Sequence, residues 1–229
     1  MLLISSFDPW RSGLCRCFTK LTFNPYTSCD HQCLYCYATN YIPNFKQIHH
    51  KKECFTMIRK EAIKLTCQTI SLYNSSDPYP KIEAPKGLTR RCIEILADYN
   101  RKIHIITKSN LVTRDDDLLC HIHATLTLTI TTDNKFIANI LEPNTPTPNQ
   151  RIQAAQDFQK ADIPASVCID PLIQHINNQP PKPRKTLDGI GVKHITCFTY
   201  KAKPDNWNRL NQALSKVMEQ LNPLLLNRG

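Results

Sequence analysis

Apolar residues recur along this chain in two alternating rhythms. Short runs rich in β-branched residues read as strands: Leu21–Asn24, Thr69–Tyr73, Ile103–Thr107, Ala124–Thr131, Ile163–Ile169 and His194–Tyr200. Helical segments fall between them. Thr56–Leu65 has helical composition, and Leu88–Tyr99 sets Leu88, Cys92, Ile95, Leu96 and Tyr99 at helical spacing. Asp115–Ile122 opens on three acids, which suit a helix N-terminus. Asn149–Lys160 reads as an amphipathic helix, and Pro204–Leu221 begins at a proline, as helices often do.

Strand and helix in strict alternation predict parallel β/α units joined by right-handed crossovers. About six such units imply an α/β fold of the partial (β/α)6 barrel kind, with parallel strands inside and helices outside. A closed eightfold barrel usually needs a longer chain. In such folds chemistry gathers beyond the C-terminal ends of the strands. That rule singles out the loop after the first strand, the loop holding Asn74–Asp77, and Lys108 after the third. No internal repeat or low-complexity tract breaks the pattern. The expected organisation is an extension over residues 1–18, a core domain over 19–222 and a tail over 223–229.

Composition narrows the picture. The 229 residues suffice for one domain with a sizeable core. Prolines outnumber glycines, 16 to 5, and cluster in candidate loops at 77–80, 142–148 and 179–183. A formal net charge of +10 fits a solvated basic surface, and equally a nucleic-acid or phosphorylated partner, since clustered cations gain from phosphate neutralisation. The eleven cysteines are an odd number. Met1–Ile4 is too short for a signal-peptide apolar region, and no apolar run reaches membrane-spanning length. The expectation is a reduced, cytoplasmic protein whose cysteines are ligands, core residues or reactive thiols.

The densest chemistry lies at Cys29-Asp-His-Gln-Cys33-Leu-Tyr-Cys36, three thiols in the pattern C-x3-C-x2-C. A structural zinc site wants four protein ligands. Here the fourth would have to come from Cys15, Cys17, His31, His49 or His50. Three thiolates without an obvious fourth instead suggest an iron–sulfur cluster with one iron left open. Cys15-Arg-Cys17 is two cysteines, too few for a site of its own, and Cys54, Cys67, Cys92 and Cys120 read as core residues.

With Tyr35 before the last cysteine, this pattern resembles the signature of the radical S-adenosylmethionine (SAM) superfamily. Further short motifs follow in order: Asn24-Pro25-Tyr26, Tyr35-Cys36-Tyr37-Ala38, Ser76-Asp77-Pro78-Tyr79, Ile82-Glu83, Leu88-Thr89-Arg90, Thr107-Lys108-Ser109, Arg114-Asp115, Thr129-Ile130-Thr131, Leu141-Glu142-Pro143 and Arg151. Over roughly residues 20–175 the chain is similar to the spore photoproduct lyase-like family, also called DNA repair photolyase-like.

The resemblance implies a 4Fe-4S cluster on Cys29, Cys33 and Cys36. SAM would chelate the fourth iron and be cleaved reductively to a 5′-deoxyadenosyl radical that takes hydrogen from a substrate. It implies that Ser76, with Asp77 beside it, meets the SAM amino group, that Lys108 meets its carboxylate, and that Thr129 or Thr131 lies near the ribose or carboxylate. Tyr35 and Tyr37 flank Cys36, as in the lyases, where such tyrosines serve radical return. An electron donor such as flavodoxin or ferredoxin is implied as a partner. The alternatives are a nucleic-acid lyase acting on modified pyrimidines, and a zinc-binding, non-catalytic nucleic-acid module.

One position departs from the family. Where the lyases carry a hydrogen-donating cysteine two residues before the serine, this chain has Asn74, and an amide is a poor hydrogen-atom donor. Cys168 and Cys197 lie on expected strands, where cysteines are more often core residues. Plainer readings stand beside the others: Lys108 as a solvated lysine, Ser76 as a turn former with Asp77, Glu142 and Arg151 as a structural pair, and His121 and His123 as surface histidines.

Overall fold

The computed structural model describes residues 3–6, 20–65, 69–72, 75–174, 176–177, 192 and 194–226, with the last helix's side chains as far as Ser215. In chain order the strands are β1 (Ser5–Ser6), β2 (Leu21–Phe23), β3 (Tyr26–Thr27), β4 (His49–His50), β5 (Thr69–Leu72), β6 (Lys102–Thr107), β7 (Ala124–Thr129), β8 (Ala165–Leu172) and β9 (Ile195–Thr199). The helices are α1 (Cys54–Ala62), α2 (Glu83–Lys86), α3 (Leu88–Asp98), α4 (Asp116–Leu119), α5 (Lys135–Leu141), α6 (Pro148–Lys160) and α7 (Pro204–Leu226), with 3-10 turns at Tyr37–Asn40 and Asn110–Asp115.

The main sheet runs β1-β2-β5-β6-β7-β8-β9. All neighbours are parallel except β1, which adds antiparallel to β2 through Ser5–Thr22 and Ser6–Leu21. The six parallel strands lie in sequence order, the arrangement of a partial barrel, and among the described residues no closed barrel forms. A separate two-stranded ribbon pairs Tyr26 with His50 and Thr27 with His49.

The alternation of each strand decides what faces helices and what faces the concave side. Ile70 and Leu72, Ile103 and Ile105, Leu126 and Leu128, and Val167 join the apolar core with Ile58 of α1, Ile93, Ile95 and Leu96 of α3, and Ala154, Ala155 and Phe158 of α6. Burying each such aliphatic side chain contributes roughly 1.5–3 kcal/mol. The opposite faces are polar. Ser71 Oγ and Thr127 Oγ1 sit 3.5 and 2.9 Å from the two ring nitrogens of His104, and Thr127 Oγ1 is 2.8 Å from Ser166 Oγ. Four neighbouring strands are thus laced across their inner faces by one hydrogen-bond chain.

Several elements differ from the sequence expectation. Asp115–Ile122 is not one helix: a 3-10 turn capped by Ser109 at the Leu111 N–H precedes the four-residue α4. Asp115 is fully buried, and accepts hydrogen bonds from Tyr79, Arg90 and Arg114 instead of opening a helix into solvent. Helix α5, unforeseen, starts where Asn134 accepts from the Phe136 and Ile137 N–H groups. Helix α6 begins with a reciprocal capping box between Thr147 and Gln150, and Pro148 at its first position.

Candidate functional site

Beyond the C-terminal end of β2 the chain turns into the cysteine loop. Ser28 (φ 71°) and Gln32 (φ 50°) are left-handed non-glycine residues there. Such backbone is held only where surroundings over-determine it, and the ties are visible. The loop's carbonyls are hooked from four directions. Ser76 Oγ donates to Ser28 O, and Asn144 Nδ2 to Asp30 O at 3.0 Å. Asn206 Nδ2 donates to Tyr35 O at 3.0 Å, and Arg209 donates to Cys33 O at 3.2 Å and Cys36 O at 3.0 Å. The Leu34 N–H donates to Leu141 O at 2.9 Å.

Cys29 and Cys33 are buried and Cys36 is half-buried, all three as free thiols. Burial pushes each thiol above its ordinary pKa; Asp77 adds to this at Cys29 and Glu142 at Cys33, while Lys108 opposes it at Cys33 and Arg209 and Lys108 oppose it at Cys36. Among the described residues no three His, Cys, Asp or Glu side chains converge on one point as a single tetrahedral ion requires. A 4Fe-4S cluster makes a different demand, with each cysteine sulfur on its own iron. The donor set, three thiols of one tethered loop beside two cations, fits such a cluster. His31 does not join the thiols: its Nδ1 lies 3.5 Å from Asp77 Oδ2.

Asp77 is a junction. Its carboxylate accepts from the Tyr79 N–H (2.8 Å), Thr107 Oγ1 (2.6 Å) and the Lys108 N–H (2.8 Å). It therefore ties the end of β6 to the loop after β5 and, through His31, to the cysteine loop. Ser76 is buried, with its hydroxyl committed to Ser28 O. Residues 73–74, and with them Asn74, lie outside the described residues, as do Cys15, Cys17 and Cys67.

Lys108, on the inner side beyond β6, places Nζ 3.9 Å from Glu142 Oε1, 3.3 Å from Asp170 O and 5.6 Å from the centre of the Tyr35 ring. Glu142 is the hub of a buried cluster. It accepts from the Tyr35 hydroxyl, from Thr131 Oγ1 at 2.5 Å and from Arg151 Nη2 at 2.6 Å. Arg151 also donates to Thr129 O at 3.0 Å. Burial would raise the Glu142 carboxyl, but the Arg151 guanidinium and the Lys108 ammonium hold it at about 2. Burial opposes the charge on Lys108, and Glu142, Cys33 and Asp170 more than restore it, leaving its pKa raised. Arg151 and Lys108 thus share the wall beside the cysteines with the carboxylates of Glu142 and Asp170.

The structure thus brings together Cys29, Cys33, Cys36, Tyr35, Ser76, Asp77, Lys108, Thr129 and Thr131 at one end of the barrel. Tyr37 stands just outside, its ring 6.1 Å from that of Tyr41. Cys168 shares the inner face with Asp170, two positions on, while Cys197 is exposed. The other shared motifs assemble a second cluster behind the site: Tyr26 Oη donates to Glu83 at 2.5 Å, Arg114 to Glu83 at 2.7 Å and Tyr79 to Asp115 at 3.0 Å. Sequence reasoning missed Asn144, Asn206 and Arg209. Their signal is weak because each acts by holding a backbone carbonyl, a task that many polar side chains perform.

No protein-family model matches the chain. It is 24% identical over 195 residues to an uncharacterized protein of Mycobacterium tuberculosis, covering 79% of this chain and 57% of that protein. To an uncharacterized protein of Methanocaldococcus jannaschii it is 31% identical over 166 residues, covering 67% and 61%. The chain therefore spans about 57–61% of the length of these curated relatives, less than two thirds. Among solved structures it superposes on spore photoproduct lyase complexed with dinucleoside spore photoproduct, with a TM-score of 0.64 and 18% identity over 86% of this chain and 61% of that one. It also superposes on Streptococcus suis SuiB bound to S-adenosylmethionine, with a TM-score of 0.61 and 14% identity over 87% and 47%. The α/β fold expected from the sequence is thereby established: this chain shares the fold of spore photoproduct lyase and of SuiB.

Proposed function

We propose that the chain is a radical SAM enzyme. Cys29, Cys33 and Cys36 would hold a 4Fe-4S cluster, and Lys108, Ser76, Thr129 and Thr131 would surround SAM. When bound, the cluster supplies one electron that splits a carbon–sulfur bond of SAM, giving methionine and a 5′-deoxyadenosyl radical. The residues' own tasks follow from their surroundings. Lys108, kept charged by Glu142, offers an ammonium to an anionic group without a proton moving. Ser76 and Asp77 hold the cysteine loop against the ends of β5 and β6. The barrel wall excludes water behind Thr129, Thr131 and Tyr35, all buried.

The observation that carries this reading is the juxtaposition of three tethered thiols with a largely buried ammonium at the C-terminal mouth of a parallel, partial barrel. Spore photoproduct lyase has been solved with bound AdoMet and dinucleoside spore photoproduct, and SuiB with a precursor peptide. Substrates of such different kinds on one fold leave this chain's substrate to the walls of its own cavity. A net charge of +10 favours a nucleic-acid or phosphorylated one.

The test is anaerobic reconstitution. The protein should take up about four irons and four sulfides, as a cubane requires, and release methionine and 5′-deoxyadenosine from SAM when dithionite is supplied. Cys29→Ala, Cys33→Ala or Cys36→Ala should each abolish both. A variant that kept SAM cleavage would overturn the proposal.

A further inference from the structure

Two cysteines outside the candidate cofactor site meet across a helix pair. Cys54 opens α1, Cys92 lies one turn into α3, and the two helices pack together. The thiols hydrogen-bond to each other. Both are free and share the main core with Ile58, Ile93 and Leu96. Their surroundings differ in sign. Helix α1 starts without a side-chain cap, because Glu53 precedes it in left-handed backbone at φ 54°. Its first N–H groups are therefore free to serve the Cys54 sulfur. The hydrogen bond from Cys92 holds the Cys54 pKa below the ordinary thiol value; burial opposes this, and the Phe55 N–H and the Lys51 ammonium support it. Cys92 moves the other way, raised by its bond to Cys54, by burial and by the Glu83 carboxylate. Burial raises Cys29, Cys33, Cys36 and Cys168 as well. Cys54 is 4% exposed and follows the exposed Lys52 and Glu53. Helix ends open locally at small cost, which admits a water-sized reagent.

We propose that Cys54 and Cys92 form a peroxide-reactive pair, with Cys54 the attacking thiol and Cys92 the resolving one. The proposal stands apart from the radical SAM reading. In the first step the Cys54 thiolate attacks one oxygen of hydrogen peroxide. A sulfur–oxygen bond forms, the oxygen–oxygen bond breaks, and the departing hydroxide takes up the proton that Cys54 released. Cys54 is then a sulfenic acid. In the second step the Cys92 sulfur attacks the Cys54 sulfur. The disulfide forms, the sulfur–oxygen bond breaks, and the hydroxide leaves as water with the Cys92 proton. In sum, two thiols and one peroxide give one disulfide and two waters. The roles follow from the neighbours: N–H groups and a cation favour a thiolate at Cys54, whereas a carboxylate disfavours one at Cys92. The contact already present between the thiols sets the resolving sulfur beside the sulfenic acid. The disulfide ties α1 to α3 next to Tyr26 and Glu83, whose hydrogen bond anchors β3 just ahead of Cys29.

The probe is hydrogen peroxide itself. The whole chain, reduced and then freed of reductant, is treated with an equimolar amount, and the remaining thiols are alkylated before digestion. Mass spectrometry then scores each cysteine separately, so oxidation of the Cys29 loop does not enter the result. A linked Cys54–Cys92 peptide should appear at least about fivefold faster than oxidation of the exposed Cys120, as a thiolate-favouring site requires. Dithiothreitol should reverse it. Cys92→Ser should give no link and leave a sulfenic acid on Cys54, trapped by dimedone. Cys54→Ser should leave Cys92 reduced. The unaltered chain carries the main result, so a variant that folds poorly does not blunt the test.

Recovery of Cys54 and Cys92 as free thiols while Cys120 is oxidised would overturn the proposal, and would make the pair a packing contact only. So would a disulfide from Cys54 to some other cysteine. A dimedone adduct on Cys92 in the Cys54→Ser variant would also overturn it, by removing the division of roles. None of these outcomes bears on whether the chain holds a cluster or cleaves SAM.

Discussion

At the scale of single residues the molecule is organised around Glu142, a carboxylate with no exposed surface held by Arg151, Thr131 and Tyr35. Removing one member of a buried ion pair leaves the other charge stranded, at a cost of about 3–5 kcal/mol, whereas replacing both with apolar residues is often nearly neutral. Glu142→Ala should therefore shift the urea midpoint far more than Glu142→Leu/Arg151→Met, and both should lose affinity for SAM. His104 supplies a second prediction. Burial, and then Lys20, bring its pKa down from 6.5 to about 4. The unfolded chain therefore takes up this proton first, and stability falls as pH drops from about 6.5 to about 4, by on the order of 3 kcal/mol. The Glu142 contribution has the depressed-carboxylate sign: present above about 4.5 and lost as pH falls towards 2. Denaturant titrations across this range should show both slopes, and His104→Gln should remove the upper one. Much of this scale was legible. The strand pattern placed the cysteine loop, Ser76, Asp77 and Lys108 just beyond strand ends and the threonines on the inner face of a strand, and the structure brings them to one end of the sheet. What could not be read is division of labour: Asp77 spends its carboxylate on backbone N–H groups and Thr107, and nothing in the string Ser-Asp-Pro announces that.

At the scale of elements, local signals decided which segments were foreseeable. The six parallel strands are dense in β-branched residues, and α3 and α6 keep their apolar positions on one face, so pattern alone found them. Helix α5 was missed because seven residues give only two turns of periodicity, and its start is fixed by a side chain, Asn134, rather than by a run. The segment from Asp115 failed for the opposite reason. Three acids promised a helix start, but tertiary contacts drew the first of them into the core with Arg114 and Tyr79. Caps are individually testable. Thr147→Ala removes one half of the α6 capping box and should cost about 1 kcal/mol, read as a lower melting temperature with the SAM site undisturbed. Helix α7 offers a different outcome. Arg209→Met keeps its packing length but releases Cys33 O and Cys36 O, so iron uptake should slow several-fold while the unfolding midpoint moves little.

For the molecule as a whole, six strands paired in sequence order made the barrel readable, since each crossover returns the chain to the next position in one hand. The ribbon of β3 and β4 was not readable, because two residues per strand carry no period. Nor was the closure of the site by α7, since contacts between residues distant in sequence leave no trace in local pattern. That closure bears on biogenesis. Arg209 and Cys33 are 176 positions apart, as the bond between them records. During synthesis the thiols emerge from the ribosome long before the side chains that hold them, and domains settle only once their last partners arrive. Iron delivered before α7 has emerged would meet an unformed cradle, so metallation should follow synthesis of that helix rather than of the cysteine loop.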